Sequence, residues 1–325
     1  KVIIVSTDIT KLHKNVNFDR LKFNTYSYMK KHSLGQWLFA VRPWSFPASA
    51  MPILVTLAYL FWAGAEMNWG FGVWALINMV LFHVAGNVWS DYNDYKKSVD
   101  REDTTGATTL TSGMFQPHEI RNLAIGVFVV AAIGGVGLVL LTGLPLLWIG
   151  LAGAVLTLLY PVLKYNALGD LDILLTFAFL PTIGTAFVTT GAIDWSVLLI
   201  ALPVGLITDG ILHSNNTRDM VPDKRAEIKT LAMGLGAKAS AVMYSFEVLF
   251  PFVWVIVCVA MKLMPWPVLA ALVAFPIALG CSKTMMKSPK EGAELILDLD
   301  QKTAQLQMVF SLLLSIAFVI SKFVF

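Results

Sequence analysis

Asn87-Val-Trp-Ser-Asp91-Tyr-Asn-Asp94 closes one long apolar run, and Asn215-Asn-Thr-Arg218-Asp219-Met-Val-Pro-Asp223 closes another. Each stretch sets an asparagine four residues before an aspartate, with a further aspartate three or four residues on. In a helix that spacing puts the side chains on one face, a turn apart. A carboxylate face at the end of a membrane span is costly to desolvate and persists where a cation, counter-charge or water compensates it. The two stretches are therefore expected to hold Mg²⁺, and the ions to hold the diphosphate of a lipid-like substrate.

The surrounding composition fits such a site. The chain has 325 residues, 57% apolar and only 14% charged, which points to a polytopic helical membrane protein. The fold class expected is an all-α bundle. A span needs roughly 20 apolar residues, and nine candidates appear, at about 46–64, 70–88, 120–141, 145–163, 171–191, 195–214, 239–261, 266–284 and 305–323. Gly143-Leu-Pro145 and Gly191-Ala-Ile-Asp194 break the pattern as tight connectors. With nine spans, all but Lys262 and Lys322 of the 24 lysines and arginines fall on one side. The positive-inside tendency makes that side cytoplasmic.

Both acidic stretches then open cytoplasmic loops, after spans two and six. That placement suggests two similar four-helix halves plus a ninth helix. Residues 1–35 are read as a polar N-terminal arm, with Phe18, Phe23, Tyr26 and Tyr28 suited to a lipid interface or to a disordered tail, and 36–325 as the transmembrane domain. Cys258 and Cys281 imply neither a disulfide nor a cysteine-rich metal site. Nothing points to nucleic acid.

Carboxylates are the ligands Mg²⁺ prefers, often shared with substrate phosphates. Asp91, Asp94, Asp219 and Asp223 are the expected ligands, and Asp100 and Asp103 share the first loop. Lys164, Arg218 and Lys229 suit the charge of a diphosphate, with Asn87 and Asn215 as further contacts. His83 and His213 read as buried, hydrogen-bonded histidines near span ends. Tyr92 and Tyr160 are candidates to stabilise a carbocation through the ring. Glu247, an acid deep in span seven, is a functional candidate by its position, with no partner evident from sequence.

These residues resemble the UbiA-type intramembrane prenyltransferases from about Arg42 to the C-terminus. Ser90-Asp91-Tyr-Asn-Asp94 is similar to that family's Asn-Asp-x-x-Asp motif, with Ser90 for the usual asparagine, and Asp219-Met-Val-Pro-Asp223 to its Asp-x-x-x-Asp motif. Within the family, Asp91-Tyr92-Asn93-Asp94 with Asp100, and Asn215-Asn216-Thr217-Arg218-Asp219, resemble the 1,4-dihydroxy-2-naphthoate polyprenyltransferases of the menaquinone branch. Arg42-Pro43-Trp-Ser-Phe-Pro47, Leu163-Lys164-Tyr165, Gly169-Asp170 and Lys229-Thr230-Leu231 match further features of that branch.

The resemblance implies Mg²⁺-dependent transfer of a polyprenyl group from its diphosphate to an aromatic acceptor, in a bacterial cytoplasmic membrane. For the naphthoate acceptor, CO₂ is lost and demethylmenaquinone formed. Asp100, Asp103 and Tyr160 are the candidates for substrate contact or general base. The same fold with 4-hydroxybenzoate, a chlorin or haem as acceptor stays open. A cation-coupled transporter is the rival of another class, but transporters place ionisable groups near the midplane, whereas these acids lie at cytoplasmic helix ends.

Overall fold

The computed structural model describes residues 32–324. The chain divides between Trp37 and Leu38, and of the first unit only residues 32–37 are described. The tyrosines and phenylalanines of the N-terminal arm lie outside the described residues.

Nine apolar helices follow one another: α1 Pro47–Trp62, α2 Trp69–Lys96, α3 Pro117–Thr142, α4 Leu144–Lys164, α5 Gly169–Thr190, α6 Trp195–Arg218, α7 Ala237–Ala260, α8 Trp266–Glu291 and α9 Ala293–Val324. Eight are long and apolar enough to cross a bilayer by themselves, and α1 does so as part of a bent pair. The described residues hold no strand, only an isolated bridge between Asn166 and Lys229. All nine expected spans are present. The protein is an all-α, polytopic integral membrane protein.

The breaks follow residue chemistry. Gly143 (φ 116°) and Gly191 (φ 78°) end α3 and α5 in backbone conformations open to glycine. Asn68 caps α2 by accepting the Phe71 N–H. Each helix contains its own backbone hydrogen bonds, the condition for crossing lipid. A π-helical stretch, Leu174–Phe179, interrupts α5, a distortion that often marks functional positions.

Packing is uneven. α1, α6, α7, α8 and α9 share a core built on Tyr59, Ile207, Tyr244, Phe252, Phe310 and Phe318. α9 lies against α1, α6 and α8, while α2 pairs with α3 as α6 pairs with α7. α3 and α4 are little covered by protein: only 17% and 6% of their apolar windows are buried. Their leucines and valines face outward, as expected where the solvent is hydrocarbon. Both cysteines are buried and free.

Candidate active site

α2 and α6 run past the apolar part of the bundle before they end, and the two acidic stretches ride on those extensions. Asp91 and Asp94 lie on the last turns of α2. Asp219 is the residue at which α6 stops, and Asp223 follows on a short helix, Met220–Arg225. Pro222 has no N–H to offer and sits inside the first turn of that helix, where none is needed. The result is one cleft of about 410 Å³ into which both stretches face.

Six aspartates line this cleft, Asp91, Asp94, Asp100, Asp219, Asp223 and Asp300, against three cationic side chains, Arg42, Lys164 and Arg218. Arg42 Nη2 donates to Asp91 Oδ1 at 2.6 Å. Lys164 Nζ donates to Asp94 Oδ2 at 3.1 Å, and Tyr165 Oη to Asp94 Oδ1 at 2.7 Å. Arg218 grips Asp219 through Nε and Nη2 at 2.9 and 2.7 Å. Thr105 Oγ1 donates to Asp219 from the first loop at 3.0 Å, so the two acidic segments are also joined directly.

The loop after α2 brings in Asp100. Its Oδ2 accepts the Ala107 N–H at 3.2 Å, and a Cβ on Gly106 would come within 1.7 Å of its Oδ1. Only glycine admits the carboxylate there. Burial, reinforced by Asp94 and Asp91, pushes the Asp100 carboxyl up to about 7. Burial likewise lifts Asp223 to about 7, with Asp219 and Asp94 adding repulsion that Lys164 opposes. The Asp94 carboxylate also raises the Tyr165 hydroxyl, after burial itself.

Asn87 closes the inner end of the cleft through a chain of hydrogen bonds. Ser49 Oγ donates to the Phe46 carbonyl at 3.1 Å, so it accepts from His83 Nδ1 at 2.9 Å. His83 Nε2 is then the acceptor for Asn87 Nδ2, also at 2.9 Å. Asn87 Nδ2 donates to Ser45 Oγ as well, at 3.3 Å. With its amide hydrogens used, the side chain has its carbonyl oxygen to offer the cleft.

Asn87 and Tyr160 also border a second, apolar cavity of about 190 Å³ between α2, α4 and α5. Ile53, Met79, Phe82, Ile149, Phe177 and Leu180 supply its walls, and Gly150 and Gly153 on α4 leave it open. A charged cleft and a greasy cavity thus meet at two side chains.

Three expected site residues are not brought in. Lys229 is exposed and outside the cleft, because its backbone is pinned to the loop after α4: its N–H donates to the Tyr165 carbonyl at 3.0 Å and its carbonyl accepts from Ala167 at 2.7 Å. Asp103 is exposed on the outer side of its loop and pairs with Arg225 at 2.9 Å, which holds its carboxyl below the usual range. Tyr92 is not among the cleft residues; its ring lies beside Trp89 and under Lys96. His83 and His213 are buried and hydrogen-bonded, and Glu247 lies beside His213, its Oε1 3.3 Å from Nδ1. Sequence reasoning assigned no role to Arg42, Thr105 or Asp300. For Arg42 a signal existed, an arginine before Pro43 at the mouth of the first span. Its backbone is left-handed (φ 52°, ψ 65°), an uncommon conformation for arginine, which aims it at α2.

The donor set suits Mg²⁺. It is all oxygen, it carries excess negative charge, and Asn215 Oδ1 is buried in the cleft region without a hydrogen-bond partner.

The fold is a helical membrane bundle whose acid-rich cleft borders an apolar cavity at Asn87 and Tyr160. Residues 49–296 match the UbiA prenyltransferase family, and the chain belongs to that family; it is a prenyltransferase. UbiA prenyltransferase domain-containing protein 1 of Gallus gallus is 32% identical over 80% of this chain and 80% of its own length. The Drosophila melanogaster homolog is 34% identical over 67% and 63%, and the Homo sapiens protein 30% over 68% and 67%. A UbiA homolog from Aeropyrum pernix K1 shares the fold with a TM-score of 0.60 at 14% identity, over 82% of this chain and 96% of that one. A homolog from Archaeoglobus fulgidus, solved with GPP and Mg²⁺, gives 0.56 at 12%, over 86% and 99%. The menaquinone branch and the bacterial membrane expected from sequence gain no support from these animal relatives.

Proposed function

We propose that the chain transfers a polyprenyl group from its diphosphate to an aromatic acceptor, in a Mg²⁺-dependent reaction at the cytoplasmic side of its membrane. The observation that carries this reading is that two acidic helix ends, remote in sequence, line one cleft that opens onto an apolar cavity.

Asp91, Asp94, Asp219 and Asp223 would hold Mg²⁺, with Asp100 and the orphaned Asn215 carbonyl beside them. Bound there, Mg²⁺ supplies Lewis-acid neutralisation of a diphosphate leaving group. Arg42, Lys164 and Arg218 now face carboxylates; a diphosphate entering the cleft offers them stronger, charge-assisted partners. Those contacts fix the head so that the allylic carbon lies at the neck, by Asn87 and Tyr160. The tail occupies the apolar cavity, whose walls exclude the water that would quench an allylic cation. The Tyr160 ring is placed to favour positive charge near the neck. The C–O bond to diphosphate breaks, the ring carbon forms the new C–C bond, and the ring then loses a proton or CO₂.

For the acceptor we propose 1,4-dihydroxy-2-naphthoate, losing CO₂ to give the prenylated naphthoquinol, the reduced form of demethylmenaquinone, on the strength of the motif resemblance. The test is an acceptor screen with the purified protein and a prenyl diphosphate, read by product mass and pyrophosphate release. A prenylated naphthoquinol is the expected product. Exclusive prenylation of 4-hydroxybenzoate, a chlorin or haem would replace this acceptor, and no pyrophosphate with any acceptor would refute the reaction.

A further inference from the structure

Deep in the bundle, outside the cleft, four titratable side chains meet. Asp170 opens α5, Asp209 and His213 lie a turn apart on α6, and Glu247 lies midway along α7. All are at most 3% exposed, and none lines the cleft. His213 Nδ1 is 3.0 Å from Asp170 Oδ1 and 3.3 Å from Glu247 Oε1. One ligand atom from each of these three lies within 4.8 Å of the others. Asp209 is close enough to interact electrostatically with Asp170 and Glu247.

The surrounding hydroxyls fix the proton on the imidazole. Thr217 Oγ1 donates its only proton to the His213 carbonyl at 2.7 Å. It is 2.6 Å from Ser240 Oγ, and must accept there. Ser240 has then spent its own proton, so at 2.8 Å it accepts from His213 Nε2. A neutral His213 therefore turns the lone pair of Nδ1 toward two carboxylates. Four carboxylate oxygens of the cluster, Asp170 Oδ2, Asp209 Oδ1 and both of Glu247, are buried with no hydrogen-bond partner. A proton on Nδ1 would supply only one donor for all of them. That is an expensive arrangement inside a membrane.

We infer that Asp170, His213 and Glu247 form a buried site for a divalent cation of the zinc class, apart from the diphosphate-binding acids. Imidazole nitrogen with carboxylate oxygens is a common donor set for such ions, and tetrahedral coordination at about 2.0–2.2 Å places neighbouring ligand atoms about 3.3 Å apart. Ser240 plays the part of the orienting partner on the far ring nitrogen. The ion ties α5, α6 and α7 together below the turn that presents Asn215, Arg218 and Asp219.

The full-length protein, purified in detergent and exchanged into Mg²⁺ buffer free of other metals, tests this by elemental mass spectrometry. Close to one zinc-class ion per chain is expected. It should fall at least tenfold in Glu247→Gln and His213→Gln and stay unchanged in Asp91→Asn. Absorption at the zinc edge of the wild-type protein, which depends on no variant, should show imidazole nitrogen with oxygen ligands. Protein that neither retains nor takes up Zn²⁺ or Co²⁺ overturns the inference. So does sulfur or all-oxygen coordination, or undiminished metal in Glu247→Gln.

Discussion

Each cation of the cleft is matched to an aspartate: Arg42 to Asp91, Lys164 to Asp94, Arg218 to Asp219. Removing one carboxylate takes a charge partner from a cation of the cleft and, in the proposed reaction, a ligand from Mg²⁺. Asp91→Asn and Asp219→Asn should each lower kcat by roughly 10²–10³-fold, the scale of losing a preorganised electrostatic contact, with folding retained by circular dichroism. Activity within a few-fold of wild type in both would count against the metal assignment. The raised carboxyls of Asp100 and Asp223 give a pH dependence. Both hold protons up to about 7 without metal, and metal binding must expel them. The Mg²⁺ concentration for half-maximal rate should therefore fall as pH rises from 6 to 8; a flat or opposite trend would contradict the arrangement. The sign for stability is reversed. A carboxyl raised in the fold contributes fully below its unfolded value near 3.8, and that contribution is lost as pH rises through about 7. Metal-free protein should thus lose melting temperature across that interval, and Mg²⁺ should restore it.

Helix ends and spans were legible because hydropathy, glycine breaks and lysine–arginine asymmetry all act locally on the chain. That Asp91 and Asp94 share one helical end was legible because side-chain spacing on a helix is a short-range property; that α6 stops at Asp219 and Asp223 sits on a separate short helix was not. Lys229 and Asp103 lie outside the cleft, which sequence could not show because loop trajectory depends on long-range pairing: the Asn166–Lys229 bridge turns one away and the Arg225 contact holds the other outside. For Arg42 its place before Pro43 was legible, but its contact with Asp91 was not, because that rests on a left-handed backbone conformation uncommon for arginine. At this scale Gly106 and the α4 glycines are the informative positions. Gly106→Ala should displace Asp100 and reduce turnover about tenfold or more, whereas Gly113→Ala, in open space though at positive φ, should leave kcat within about twofold after any cost in stability. Gly153→Leu fills the apolar cavity without clash at its Cβ. Its expected outcome is a selective loss with long prenyl diphosphates, measured as kcat/KM against chain length.

Across the whole molecule, charge and grease are segregated. Among the described basic residues, Lys262 and Lys322 lie by the closing ends of α7 and α9, while the others lie at helix ends and loops that nine alternating spans put on the opposite side, so single cysteines at Ala192 and Lys224 should label from opposite faces of sealed vesicles. The same segregation governs traffic. The cavity beside Asn87 and Tyr160 is walled by α4, a helix whose far face meets hydrocarbon, while the cleft opens among loops and helix ends rich in charge. One reaction yields a coproduct insoluble in oil and another insoluble in water. Each therefore partitions toward the medium that dissolves it, and the site can empty in two directions without a shared exit.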